Sequence, residues 1–342
     1  MSIDIQNSRY LPYVDQLHTL NILAAIARIS RAQVGVEGDE LKTAFLGDYY
    51  GILFHAEAMS DLGYQITYFE GNPQDSFHPS KGIDGLQAGC FDCLIIADTS
   101  AEKESNLARI AVDQGYRPVF AKRIIEAHRN VLFSMQAQKI VSCLNPHKWA
   151  LIAAAVSMSP EEGAVIECGV YMGGTTILIA LMQRALGISR PIYALDTFEG
   201  MPPATINDKL GAYYYDSGMF TDNQISLVSS FYRDMGVAGD IKILKGLCQE
   251  TLPQVFREVK HVSFSLLDTD QYAGTSGGLV EITPRLRSTD LVIVDDTTVH
   301  GVDVAIKETL LRDAQLRRHR LCHNFELLNR SSHTDGYSDR PT

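Results

Sequence analysis

Two apolar runs in the sequence each stop on a pair of aspartates. The run in 261-HVSFSLLDTDQYAGT-275 ends at Asp268 and Asp270, and that in 291-LVIVDDTTVHG-301 at Asp295 and Asp296. A carboxylate at the end of a core strand costs free energy unless a partner compensates it. Strands of an open parallel sheet deliver their C-terminal ends to one crevice, where ligands bind. Asp268, Asp295 and Asp296 converging there would make a site of hard oxygen donors, which suits Mg²⁺. The competing reading is that these aspartates cap loops or helices, as Asp often does after a strand.

A second stretch, 165-VIECGVYMGGTTILIA-180, reads as a strand ending in Glu167, a turn carrying Gly169, Gly173 and Gly174, and a helix opening at Thr175. Glycines let such a turn pass close under a ligand, and the helix N-terminus offers free N–H groups and a positive dipole end. The next strand, 192-IYALD-196, ends in Asp196, placed to accept from ribose hydroxyls. The order of acid, Gly-x-x-x-Gly-Gly, helix, strand and acid differs from the dinucleotide fingerprint and suits an adenosyl ligand without a pyrophosphate, hence S-adenosylmethionine. The candidate cofactor-binding residues are Glu167, Gly169, Val170, Tyr171, Gly173, Thr175, Asp196, Thr197 and Phe198.

These residues need a scaffold, and the rhythm of the chain supplies one. Strand patterns at AVIECGV, PIYALD, IKILKG, VSFSLLD and DLVIVDD alternate with helical ones, which predicts a parallel, doubly wound sheet over residues 129–330. Ahead of it, 130–160 is mostly helical with a break near Asn145-Pro146. Residues 1–40 contain a helix over 9–35, with Leu17, Leu20, Leu23, Ile26 and Ile29 at helical spacing, followed by the polar connector VEGDE. Residues 41–128 read as a second, smaller Rossmann-like α/β domain. Its expected parts are strand TAFLG, helix 49–63 ending at Gly63, strand QITYFEG, a loop at 71–89, strand CLIIAD, helix 100–115 and strand RPVFAKR. The end, 331–342, reads as a flexible tail.

The smaller domain invites comparison with a dinucleotide site, since Gly47 follows a strand, Gly51 opens a helix and Glu70 ends the next strand. The loop nevertheless reads GDYYG. Tyr49 stands where a glycine should admit a pyrophosphate, and Asp48 adds negative charge, so a domain without nucleotide is expected. A nicotinamide- or sugar-nucleotide-dependent enzyme run from this domain is the alternative reading.

Bulk properties exclude several classes. The 342 residues carry a formal charge of −11, which argues against nucleic acid or an anionic membrane as the main partner. No apolar run spans a bilayer, and the first residues lack the pattern of a secretory signal. The expected location is cytoplasmic. Cys90 and Cys93 form a CxxC pair without further ligands at zinc spacing, which reads as free thiols.

Taken together, ECGVYMGGT, LDTFEGMPP, KGLCQETLP, LLDTDQYAGT and VDDTTVHGVDVAI resemble, in order and spacing, the macrocin O-methyltransferase family, over about residues 130–330. The chain departs from the family pattern at Thr197, Thr297 and Cys248. The resemblance implies a Rossmann-like class I methyltransferase domain that uses S-adenosylmethionine and Mg²⁺ to methylate a hydroxyl of a small natural product, on a sugar moiety or a polyketide. It implies Asp268, Asp295 and Asp296 as metal ligands, and it suggests a homo-oligomer. In some members a histidine just after the second aspartate is the candidate base; here that position is Gln271. Asp270, two residues beyond Asp268, would face the same way if the strand continued, and is the candidate proton acceptor. Alternatives are a structural role for Asp270, with His300 or solvent as the base. Asp208 and the aromatic run 213-YYYDSGMF-220 lie in a long insertion that reads either as a lid over the acceptor or as a surface loop.

Overall fold

A computed structural model of the chain describes residues 11–35, 41–47, 64–69, 80–81, 83, 86–98, 100–140 and 142–331. The expected helix 49–63, residues Asp48, Tyr49, Gly51 and Glu70, most of the 71–89 loop, the connector 36–40 and the tail from 332 onward lie outside these residues. The chain divides into two compact units between Asn130 and Val131. No helix among the described residues is long and apolar enough to cross a membrane.

In the first unit, α1 (Leu11–Val34) buries Leu23, Ile26 and Ile29. It precedes β1 (Leu41–Leu46), β2 (Tyr64–Phe69), β3 (Ser80–Lys81), β4 (Cys93–Ile96), α2 (Ala101–Asp113) and β5 (Val119–Phe120). The strands are parallel in the order β3-β2-β1-β4-β5. Ala44, Leu46, Leu94, Ile96 and Leu107 form their core. The expected strand RPVFAKR shrinks to Val119 and Phe120, which pair with Ile95 and Ile96. Ala121, Lys122 and Arg123 instead open α3 (Ala121–Ala137), as strong helix formers do when no partner strand holds them. Burial pushes the Cys93 thiol up to about 11, and Cys90 is a free, exposed thiol.

The second unit carries the site. Its helices and strands run α4 (Pro146–Met158), β6 (Ala164–Cys168), α5 (Gly174–Leu186), β7 (Ile192–Asp196), α6 (Ile206–Lys209), α7 (Ile225–Asp234), β8 (Ile241–Lys245), α8 (Cys248–Glu258), β9 (Val262–Leu267), α9 (Tyr272–Ile282), β10 (Leu291–Asp295), α10 (His300–Arg312), β11 (Leu316–Cys322) and β12 (Phe325–Arg330). The seven strands lie in the order β11-β12-β10-β9-β6-β7-β8. From β10 to β8 all neighbours are parallel, while β12 pairs antiparallel with both β10 and β11. The central strands are buried along their whole length, as expected of a parallel sheet covered on both faces. The strand order reverses between β6 and β9, and a sheet of this kind opens its binding crevice at that point.

The pair β11–β12 was not foreseen. LRRHRLC alternates charged and apolar residues, but Arg318 is drawn into an ion pair with the buried Glu326 and another with Asp303 at 2.9 Å. Elsewhere the buried Arg190 donates to Gln183, Ser159, Ser263 and the carbonyls of Val156 and Pro160, which ties α4, α5 and β9 together.

The insertion at 201–224 is ordered and docked. Asp208, fully buried, accepts from Tyr272 N at 2.7 Å and from Thr205 N at 2.8 Å and Thr205 Oγ1 at 2.6 Å. Gly301 lies so close that a Cβ there would sit 2.0 Å from Asp208 Oδ1. Gln271 Nε2 donates to the carbonyls of Pro202 at 2.9 Å and Tyr215 at 3.0 Å. Asp208→Ala should cost about 2–4 kcal/mol, because buried N–H groups lose their acceptor. It should also open trypsin cleavage at Lys209 before global unfolding. Unchanged urea unfolding together with unchanged protease resistance at Lys209 contradicts this role.

Candidate active site

The crevice is a cavity of about 490 Å³, the size of small-molecule sites in general. All thirteen residues singled out by sequence line it except Gly173 and Phe198. Both exceptions support the wall from behind. A Cβ on Gly173 would meet the Tyr232 ring at 2.7 Å, so glycine there lets α7 pack on the turn. Phe198 is buried with a left-handed backbone, φ 50°.

The glycine turn is shaped by Asp196. Its Oδ2 accepts from Val170 N at 2.7 Å and Tyr171 N at 3.0 Å. Its Oδ1 accepts from Phe198 N at 2.8 Å and Asn223 Nδ2 at 3.0 Å. The carboxylate expected to hold a ribose is therefore first of all a clamp between the two strand ends, and a ribose hydroxyl would share oxygens already in use. Thr175, in the first turn of α5, lies 3.2 Å by its Oγ1 from Ser142 Oγ, and Thr197 Oγ1 donates to Gly200 O at 2.7 Å. Glu167 is buried and accepts from Thr176 Oγ1.

The aspartates gather beside the glycine turn, where the Asp268 carbonyl adjoins Gly169. Asp268 follows the end of β9, and its N–H donates to Cys168 O at 2.8 Å, prolonging the ladder with β6 by one bond. Burial, then the charges of Asp295, Asp270 and Asp296, push its carboxyl well above the usual carboxylate range. Asp270 is raised likewise, by burial, by the charge of Asp296 and by a hydrogen bond with it. Extended geometry does not persist from Asp268 to Asp270. Asp270 has φ 58° and Asp296 φ 51°, so a left-handed turn, rather than strand alternation, brings these side chains together. Such conformations in non-glycine residues concentrate at functional sites.

Of the partners of this cluster, Lys148 and Asn324 escaped the sequence reading, while Tyr215 lies in the aromatic run it singled out. Lys148, buried on α4, forms an ion pair with Asp295 Oδ1. Tyr215 donates its hydroxyl to Asp296 Oδ2 at 2.9 Å, and Asn324 donates to Asp296 Oδ1 at 2.8 Å. The only sequence signal for Lys148 is the Asn145-Pro146 helix start, which puts a cation in the first turn against the helix dipole. Tyr215, Phe220 and Tyr171 form an aromatic wall, with ring centroids 5.9 Å apart for Tyr215 and Phe220 and 5.3 Å for Phe220 and Tyr171. Through them the 213–220 run reaches the site. His300 begins α10 and does not line the cavity.

Among the described residues, no three His, Cys, Asp or Glu side chains stand in a ready-made metal-holding arrangement. Asp295 is engaged by Lys148, and Asp296 by Tyr215 and Asn324. The donor chemistry nevertheless fits a hard divalent cation. Asp268, Asp270, Asp295 and Asp296 are carboxylates on one cavity wall, most of them raised by burial and by one another, with a single lysine against them.

Glu167 offers a pH test of the cofactor side. Burial, aided by Asp196 and opposed by the Thr176 hydrogen bond, pushes it from 4.5 to about 8. A raised carboxyl stabilises the fold fully below its unfolded value and loses that contribution as pH rises through the folded one. Glu167→Gln keeps an acceptor for Thr176 and removes the ionisation. The stability of the variant relative to the parent should therefore rise by about 1.4 kcal/mol per pH unit between pH 5 and 8 in urea unfolding. A difference that stays flat with pH contradicts the assignment.

Comparison with known proteins identifies relatives of the chain. The macrocin-O-methyltransferase (TylF) family profile matches residues 147–317. A curated relative from Streptomyces olivaceus, 8-demethyl-8-(2,3-dimethoxy-alpha-L-rhamnosyl)-tetracenomycin-C 4'-O-methyltransferase, is 26% identical over 151 residues, which is 43% of this chain and 57% of the relative. Among solved structures, the O-methyltransferase NovP is 19% identical at a TM-score of 0.45, over 62% of this chain and 80% of that one. CalS11, calicheamicin methyltransferase, is 19% identical at a TM-score of 0.45, over 69% and 95%. With the family profile matched across half of its length, over most of the residues that line the crevice, the chain belongs to the macrocin-O-methyltransferase family.

Proposed function

We propose that the protein is an S-adenosylmethionine- and Mg²⁺-dependent O-methyltransferase acting on a hydroxyl of a small natural product, a sugar moiety above all. The observation that carries this reading is one cavity lined by both the glycine turn and the carboxylate cluster. The tetracenomycin relative, whose name specifies a rhamnosyl-bearing polyketide, supports the sugar as acceptor.

In this reading the turn from Gly169 to Thr175 and the N-terminus of α5 bind the cofactor, and Asp196 serves the ribose from the edge that lines the cavity. Asp268, Asp295 and Asp296 would hold the metal. When bound, the cofactor supplies an electrophilic methyl group and Mg²⁺ a Lewis acid that lowers the pKa of the acceptor hydroxyl. Asp270 receives the proton from that hydroxyl. Its place on the cavity wall, hydrogen-bonded to Asp296 and two residues beyond Asp268, sets it beside that hydroxyl without making it one of the ligands. Gln271, which anchors the insertion, is occupied with two carbonyls and cannot do so. The aromatic wall of Tyr171, Tyr215 and Phe220 presents apolar faces to the acceptor and excludes water.

The test is transfer of labelled methyl from S-adenosylmethionine to a panel of rhamnosylated aromatic polyketides. Transfer should require Mg²⁺ and stop with EDTA. Asp270→Asn should lower turnover by about a hundredfold or more, while calorimetric affinity for S-adenosylhomocysteine stays within a factor of a few. Full activity in EDTA rules out the metal, and normal turnover by the Asn variant rules out Asp270 as the base.

A further inference from the structure

The ion pair between Lys148 and Asp295 concerns the charge balance of the cluster, and the family reading leaves it without a role. Lys148 is 7% exposed and Asp295 3%. A lysine at this depth is stable only beside a carboxylate. The helix gives it no help. Lys148 sits in the first turn of α4, behind the Asn145 cap whose Oδ1 accepts its backbone N–H at 3.0 Å, and a cation at that end opposes the dipole. Its place is therefore set by the aspartates. Its charge bears on Asp268 and Asp270 as well as on Asp295. The oxygen it holds, Asp295 Oδ1, also accepts from Asp296 N at 2.6 Å, so that atom is twice engaged. The Nζ lies 5.4 Å from the Phe325 ring centroid, a second favourable contact for the cation.

We propose that Lys148 is a built-in counter-cation of the carboxylate cluster that competes with a divalent metal for Asp295, holding metal affinity down so that the ligand set assembles only when the lysine yields that oxygen. The proposal rests on the reading of the cluster as a metal site. It follows from the arrangement of charge. Ionised, the carboxylates of Asp268, Asp270, Asp295 and Asp296 carry four negative charges and Lys148 removes one of them, so an incoming cation meets a weaker field and a ligand already paired. The consequence is an exchangeable metal and a cluster that survives without one, because the like charges never stand wholly uncompensated.

The experiment measures Mn²⁺ binding to the full chain by calorimetry, with thermal unfolding in EDTA alongside, for the parent, Lys148→Met, Lys148→Arg and Asp268→Ala. Lys148→Met removes the charge and keeps the length. It should bind Mn²⁺ about tenfold tighter or more, given one like charge removed at contact distance. It should unfold at a lower temperature in EDTA and gain more from Mn²⁺ than the parent does. Lys148→Arg, which keeps the charge, should stay near the parent. If Lys148→Met does not fold, Lys148→Gln is read in the same way. Mn²⁺ binding by the parent that is lost in Asp268→Ala but unchanged or weaker in the neutral Lys148 variants overturns the competition and leaves the metal reading intact. Absence of Mn²⁺ binding in the parent and in both neutral variants overturns the metal reading, and this proposal with it.

Discussion

A Cβ on residue 169 would lie 1.8 Å from the carbonyl oxygen of Asp268. No side chain fits that space, and the backbone there, at φ 87°, is one that L-residues rarely adopt. The two central strands, β6 and β9, thus end in contact, with Asp268 N donating to Cys168 O at 2.8 Å, while Gly169 N ties the same corner to β7 by donating to Leu195 O at 2.9 Å. The rest of the site depends on this corner. It places the turn that Asp196 clamps and the first acid of the cluster on adjoining main-chain atoms, so the glycine turn and the acids are joined through the backbone. The sheet's reversal of order opens the crevice at the same point.

Around that corner the chain accumulates costs and offsets them locally. Tyr171, Phe198, Asp270 and Asp296 all have left-handed backbones at strand-to-helix turns. Each carries a penalty of order 1–3 kcal/mol. Hydrogen bonds fix these turns: Tyr171 N and Phe198 N to Asp196, and Asn324 and Tyr215 to Asp296. Carboxyl groups are crowded in a buried pocket, and among the described residues Lys148 is the buried cation paired with one of them. The 201–224 insertion closes the arrangement from above the acids. Asp208 and Gln271 dock it on α9, and Tyr215 carries its hydrogen bond down to the cluster.

Much of the second unit was legible in the sequence because its central strands β6, β7, β9 and β10 are apolar runs that lead into acids. Glu167, Asp196, Asp268 and Asp295 all close buried runs, and that pattern survives any uncertainty about helix boundaries. What the sequence hid is of three kinds. Lys148 and Asn324 reach the cluster from elements distant in the chain, and apart from the helix start ahead of Lys148 nothing local marks them. Asp196 and Asp208 could be recognised as important acids, but their hydrogen-bond partners depend on tertiary approach. Asp196 proves to clamp the turn, and Asp208 to dock the insertion. The Asp268–Asp270 pair was placed on one face by strand alternation, whereas a left-handed turn produces the convergence. The β11–β12 pair was unreadable because its charged positions look solvated until Arg318 meets Glu326.

The central claim is that one corner of the sheet serves cofactor and metal together. The most direct measurement is a crystal structure of the full chain grown with S-adenosylhomocysteine and Mn²⁺, with the metal located by anomalous scattering at the manganese edge. The account predicts the cofactor product lying along the turn from Gly169 to Thr175, and a manganese peak ligated by Asp268 with Asp295 or Asp296 in the same cavity. Cofactor density elsewhere in the chain, or a manganese peak remote from these carboxylates, would contradict it.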